Sequence, residues 1–190
     1  MSEIKVDTVA EKTSANGVTI DGLNIKDSKL VTANSVVTSN ITDGAISAAK
    51  LASGVGGKIL QVVTNTHATR FSTTSTSFVA ATGYTVAITP SATSSKVFVI
   101  VSSMQDIGAS GRVAYSTLFR NTTNLANGLG IAASHSDSGR LYTPVTLSVL
   151  DSPSSTSAVT YQVYFRTNGG AVVFNDTEGE AQLTAFEIAG

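Results

Sequence analysis

From Lys58 to Gly190 apolar and polar residues alternate in short runs that carry the period of a half-buried strand. Ile59-Leu60-Gln61-Val62-Val63 opens the series. Ser77-Phe78-Val79-Ala80 and Tyr84-Thr85-Val86-Ala87-Ile88 follow on either side of Ala81-Thr82-Gly83, which reads as a turn. Then come runs at 96–101, 112–120, 142–150, 159–166, 171–174 and 182–188, all rich in Val, Ile, Thr, Tyr and Phe. Pro-Ser, Asn-Gly and Asp-Ser steps separate them. The pattern predicts about eight or nine strands folded as an antiparallel β-sandwich or jelly roll, with no competing amphipathic helix.

Residues 1–57 pattern differently. Apolar residues come in small clusters: Ile4, Val6 and Val9; Val18, Ile20, Leu23 and Ile25; Leu30 and Val31; Val36 and Val37. Asn16-Gly17 and Asp21-Gly22 punctuate them as turns. These pieces alternate like strands but are too short to bury much area in one chain. Several copies intertwined about an axis would cover them, with Val6, Val9, Val18, Ile20, Leu23, Ile25, Ile41 and Ile46 as the shared apolar positions of a shaft. A segment lying along another protein is the alternative. Between 41 and 52, Ile41, Ala45, Ala48, Ala49 and Ala52 recur at helical spacing behind a Thr42 or Asp43 cap, which predicts a short helical neck. Gly44 within it equally fits a plain turn.

The aromatic distribution sharpens the division. Every Phe and Tyr lies at or beyond Phe71, every lysine at or before Lys96 and every arginine at or after Arg70. The joint falls at Ser53-Gly54-Val55-Gly56-Gly57, so two domains are expected: an extended segment, 1–57, and a sandwich knob, 58–190. Only 13% of residues are charged, so Ser, Thr, Asn and Gly must cover much of the surface. A net charge of −1 gives no basic field for a phosphate backbone, and nucleic acid is not an expected partner. No run approaches the roughly 18 apolar residues of a membrane span, so membrane insertion is not expected either. Met1-Ser2-Glu3-Ile4-Lys5-Val6 lacks the apolar core of a signal peptide. Cysteine is absent, which removes disulfides, thiolate metal sites and thiol nucleophiles together.

Three N-terminal stretches carry a resemblance: Ile4-Lys5-Val6-Asp7-Thr8-Val9-Ala10-Glu11-Lys12-Thr13; Asn16-Gly17-Val18-Thr19-Ile20-Asp21-Gly22; and Ile41-Thr42-Asp43-Gly44-Ala45-Ile46 with Lys50-Leu51-Ala52. Over roughly residues 3–60 the chain resembles bacteriophage tail-fibre and related virion structural proteins of the marine phage type. The resemblance implies a homotrimeric fibre with an interlaced shaft, attached to other virion proteins of the tail or capsid, whose knob touches a host-surface glycan or protein. By strand pattern the knob is similar to tumour necrosis factor-like or jelly-roll heads. Proteins of this build also decorate or cement capsids, and the resemblance does not separate the two placements. The sequence departs from long tail fibres in starting directly on shaft-like residues.

Little in the sequence speaks for catalysis, and neither an enzyme nor a cofactor is expected; a small polysaccharide-degrading enzyme using Asp176, Glu178 or Glu180 as acid and base is the remote alternative. A histidine metal site would need both His67 and His135 with carboxylates. Ser134-His135-Ser136-Asp137 holds triad residue types, but neighbours in sequence point apart, so it reads as a polar surface loop. Asp176-Thr177-Glu178-Gly179-Glu180 matches no established calcium loop and reads as a solvated acidic turn. Loops at one end of a sandwich are the usual place for contact residues, which singles out Asp106, Arg112, His135, Arg140 and Tyr142 as a surface-contact set. Phe98, Tyr115, Phe119, Tyr161, Tyr164, Phe165 and Phe186 are expected in the core or a subunit interface rather than on a sugar-stacking platform.

Overall fold

In the computed structural model the described residues are 18–20, 23–26, 29–30, 58–176 and 179–190. The chain divides into two units, Met1–Gly56 and Gly57–Gly190. In the first, β1 (Val18–Ile20), β2 (Leu23–Lys26) and β3 (Lys29–Leu30) form a three-stranded antiparallel sheet in the order β1-β2-β3. Its register sets Val18 opposite Ile25 and Ile20 opposite Leu23, so four of the expected shaft positions are backbone partners in the β1–β2 ladder. Val6, Val9, Ile41, Ile46 and the expected helical neck over 41–52 lie outside the described residues.

The second unit is all-β and antiparallel. Its strands are β4 (Ile59–His67), β5 (Phe71–Thr73), β6 (Val79–Ile88), β7 (Lys96–Ile107), β8 (Arg112–Arg120), β9 (Thr123–Asn124), β10 (Ala132–Ser136), β11 (Leu141–Asp151), β12 (Val159–Thr167), β13 (Val172–Phe174) and β14 (Ala181–Ile188). One sheet of five runs β10-β8-β12-β6, with β9 also on β8. The other, of six, is organised by β7, the longest strand. β11 lies along one side of β7 from end to end, while β14 takes its first half on the other side and β13 its last three residues. β4 continues the sheet beyond β14, and β5 beyond β13. β11 pairs only with β7 and carries Pro144, which an edge strand tolerates because a missing N–H costs no ladder bond there.

Inward positions of both sheets build one apolar core. Tyr84, Val86, Leu118, Tyr161, Val163 and Phe165 come from the five-stranded sheet; Val97, Val99, Val101, Leu147, Phe174 and Leu183 come from the other. The strict alternation of β12, buried at every odd position from Val159 to Thr167, shows how the period of two in sequence becomes one face in the fold. Polar links tie the layers together, among them the 2.7 Å bond from Asn65 Nδ2 on β4 to the Thr85 carbonyl on β6. Gln105 on β7 donates from Nε2 to the hydroxyl of Ser116 on β8. Asp151 on β11 accepts from Arg120 Nη1 at 2.8 and 2.9 Å and from the Tyr161 hydroxyl at 2.7 Å.

Two expectations need correcting. Ala81-Thr82-Gly83 is not a turn: β6 runs unbroken from Val79 to Ile88, and its register against β12 jumps between Gln162 opposite Thr85 and Tyr164 opposite Ala80. The extra residues form a bulge that lets Ala81 and Tyr84 both face the core. Gly83 has φ of +86°, and a Cβ there would collide with the His67 imidazole, so only glycine fits. The segment around His135 is not a loop: Ala132–Ser136 is strand β10, paired with Arg112–Ser116. Of the seven aromatics expected in the core or at an interface, only Tyr161 and Phe165 are core residues; the core's other large rings are Tyr84 and Phe174. The remaining five are partly exposed on outer faces, where Phe98 lies 6.2 Å from Phe186 and Phe119 stacks on Tyr164 at 3.8 Å.

The far end of β14 carries a buried carboxylate that closes the β6–β7 connection. Glu187 Oε1 accepts from the Ser91 backbone N–H at 2.6 Å, the Ser91 hydroxyl at 2.6 Å and the Ser95 hydroxyl at 2.8 Å. Burial alone would push its pKa up, but the three donors outweigh it and hold the carboxyl below the ordinary carboxylate range. A group depressed on folding contributes stability above its unfolded pKa and loses it as pH falls through the folded value. The urea midpoint of the wild-type chain should therefore drop as pH falls below about 4.5. Glu187→Gln should remove part of that acid dependence while lowering stability at neutral pH. An identical pH profile for the two chains would refute the role given to Glu187.

Candidate functional site

The loops after β5, β7, β10 and β12 gather at one end of the sandwich, and this end holds the expected contact residues. Register places Tyr142 at the start of β11 directly opposite Asp106 near the end of β7. Asp106 is buried, at 4% exposure, and Arg140 reaches it with two parallel bonds, Nε to Oδ1 at 2.9 Å and Nη2 to Oδ2 at 2.7 Å. Such a fork-to-fork pair fixes the plane of the guanidinium. The guanidinium carbon then lies 4.3 Å from the centre of the Tyr142 ring.

Two residues outside the expected set complete the cluster. Asp176, after β13, meets Arg140 Nη2 at 3.4 Å and Arg70 Nε at 3.5 Å. The arrangement is thus two arginines against two aspartates, with Tyr142 on its outer side. The Asp106 and Asp176 carboxylates, together with the tyrosine nearby, raise the Arg140 pKa further, the hydrogen bond to Asp106 contributing most. The Tyr142 hydroxyl is held above the ordinary phenol range by loss of solvent first, then by the Asp106 charge and a hydrogen bond to Asp176. Tyr142 itself stays 43% exposed. The acidic stretch 176–180 is therefore not simply a solvated turn, since Asp176 is engaged; Thr177 and Glu178 lie outside the described residues.

Arg112 and His135 do not join this cluster. Arg112 donates from Nη1 to the Gly169 carbonyl and lies where a Cβ on Gly170 would be, so it braces the β12–β13 turn. His135 Nδ1 faces Asp137 Oδ1 at 3.2 Å on an exposed edge. Ser136, the nearest hydroxyl of the triad-like run, donates to the Gly139 carbonyl at 2.7 Å and so is turned to its own hairpin. The two histidines sit in different sheets; His67 packs edge-on against Tyr84 with ring centres 4.5 Å apart. Among the described residues no three His, Asp or Glu side chains gather as a metal site would require.

Asp106, Arg140 and Tyr142 come together because β7 and β11 pair over their whole length, which nothing in the local sequence encodes. Arg70 and Asp176 were missed for the same reason: each sits in a short connection, far from the others in sequence. What the site offers chemically is a rigid, nearly neutral surface with one aromatic face open to solvent, backed by a guanidinium already fixed in place. That suits stacking against a sugar ring or an apolar side chain. No protein-family model matches the chain, and no curated protein matches it in sequence.

Proposed function

We propose that this chain is a structural and binding protein of a phage virion, a short homotrimeric tail fibre whose sandwich knob contributes to contact with the host surface. Four features support the reading. The N-terminal stretches resemble those of tail-fibre and virion proteins. The knob is proposed to be a jelly roll, because its strands alternate between the sheets to give β4-β14-β7-β11 and β6-β12-β8-β10. Apolar N-terminal positions call for partners outside one chain. Finally, the loop end of the knob presents Tyr142 on an Arg140–Asp106 base, and this is the observation that carries the binding reading. The residues of that cluster hold one another in ion pairs, an arrangement for positioning a surface rather than for turnover, so we assign the chain no enzymatic activity and no cofactor.

A capsid decoration or cement protein of the same trimeric fold is the second reading, and the N-terminal resemblance favours it equally. Electron cryo-microscopy of virions carrying a tagged copy distinguishes them: density at the tail supports the fibre, density spread over the shell supports decoration, and absence from the particle refutes both. For host contact, the trimer with Tyr142→Ala should bind host cells at least tenfold more weakly than wild type, with its thermal unfolding unchanged. Arg140→Lys should show a smaller loss in the same direction, because a point charge does not reproduce the bidentate pair. Equal binding by all three chains would remove this loop end as the contact surface.

A further inference from the structure

The outer face of the six-stranded sheet shows an organisation that the loop-end site does not use. Register aligns one residue from each of four strands in a single apolar row: Leu150, Phe98, Phe186 and Val62. The next two rows are Ser148, Ile100, Thr184 and Thr64, then Thr146, Ser102, Gln182 and Thr66. These twelve positions include no ionisable side chain. Beyond the apolar row the face continues to Ile188, opposite Ile59, and meets its first charge at Lys96. Val62 and Leu150 are each 54% exposed, Ile59 58% and Leu60 50%, so the row stands open at both edges of the sheet. β4, which supplies three of these residues, has no charge or proline along Ile59–His67, the devices by which edge strands are ordinarily protected.

We infer that this face packs against other copies of the same chain, and that the Leu150–Phe98–Phe186–Val62 row is the centre of the knob's contact within the assembly. The inference rests on the homotrimeric reading and adds the surface to it. Strands about 4.8 Å apart and residues of one face about 6.8 Å apart along each strand make four strands by four rows a face of roughly 500 Å² in projection. With side-chain relief and the edge of β4 included, this is comparable with the ~800 Å² that each partner gives to a standard interface. A second copy fits better than a charged partner, since three of the four rows carry no charge, bring no like charges together and offer nothing to select an ionic surface. Chain connectivity points the same way: β4 begins two residues after the 57/58 joint, so copies gathered through residues 1–57 hold their knobs at high effective concentration.

The absence of cysteine makes the test direct. In the full-length chain, Leu150→Cys and Val62→Cys place a single thiol on the face, and Ala87→Cys places one on the exposed side of the other sheet. Molecular mass is measured by light scattering, and thiol labelling is followed on the same sample. The expected result is an assembled species in which Leu150→Cys and Val62→Cys label at least tenfold more slowly than Ala87→Cys. An assembled species in which all three label alike overturns the inference and leaves the homotrimer standing. A monomer whose Leu150→Cys labels freely overturns both. A monomer with Leu150→Cys protected shows that the chain's own residues cover the face, which also overturns the inference. As a second variant, Val62→Lys with Leu150→Lys should raise the concentration for half-dissociation at least tenfold; unchanged assembly would refute the contact even if the thiols were protected.

Discussion

Phe174→Ala is expected to lower the unfolding free energy by about 3–5 kcal/mol, the range for truncating a large aromatic at a rigid buried site. Phe174 is fully buried and stands between two other rings, edge-on to Tyr84 at 5.1 Å and to Phe165 at 5.5 Å. Its strand, β13, is three residues long and is held between β5 and β7. So short a strand owes its place to the ring beneath it more than to its ladder, and the cavity left by alanine would be lined by side chains from both sheets. The melting temperature should fall by roughly 10–20 °C at equal protein concentration. Phe174→Leu, which fills part of the volume, should recover a good share of the loss. A drop of under about 1 kcal/mol for the alanine variant would mean that β13 is not braced through this side chain.

The second large effect is expected at the inter-sheet ion pair. Asp151 is nearly buried and Arg120 is a quarter exposed, and the Tyr161 hydroxyl donates to the same carboxylate. Burial drives the Tyr161 hydroxyl far above the ordinary phenol range, and its hydrogen bond to Asp151 adds to this. It therefore keeps its proton and donates it to the Asp151 carboxylate. Arg120→Ala leaves the carboxylate with that one donor in an apolar surround, which should cost about 3–5 kcal/mol. Replacing both partners, Arg120→Met with Asp151→Leu, should restore part of it, since the unpaired buried charge is gone although the Tyr161 hydroxyl then lacks its acceptor. Chemical denaturation of the single and double variants checks this, and a double variant less stable than Arg120→Ala would show that the pair itself is worth more than its desolvation.

The sandwich was legible wherever one face of a strand is buried. β8 carries the bounds 112–120 that alternation alone assigns, and β12 differs by a single residue. β10 was illegible because Ala-Ala-Ser-His-Ser holds no large apolar residue; it lies at a sheet edge and owes its conformation to β8. Gly83 misled because a glycine that ends a strand and one that bulges a strand look alike until the partner's register is known. The site fared similarly. That Asp106, Arg140 and Tyr142 share a loop end could be read from strand ends, whereas their mutual contacts, and the recruitment of Arg70 and Asp176, depend on a pairing across distant residues. Aromatic positions were assigned to core or interface without division between them, because alternation marks two faces without saying which is inward. Phe98 and Phe186 fell on the outer one.

The pairing of β4 with β14 bears on how the knob comes to be made. Thr64 and Thr184 face one another across that ladder, 120 residues apart in sequence. At 5–20 residues per second a ribosome needs roughly 6–24 s to pass from the first of these strands to the second. Throughout that interval the uncharged edge of β4, with Ile59, Leu60 and Val62, has no native neighbour in the sheet. Neighbouring nascent chains on one polysome expose the same edge at the same stage. Completion of the knob accordingly waits for Ala181–Ile188, and yield in an expressing cell should depend on how quickly that strand is delivered to an edge that is otherwise free to find the wrong partner.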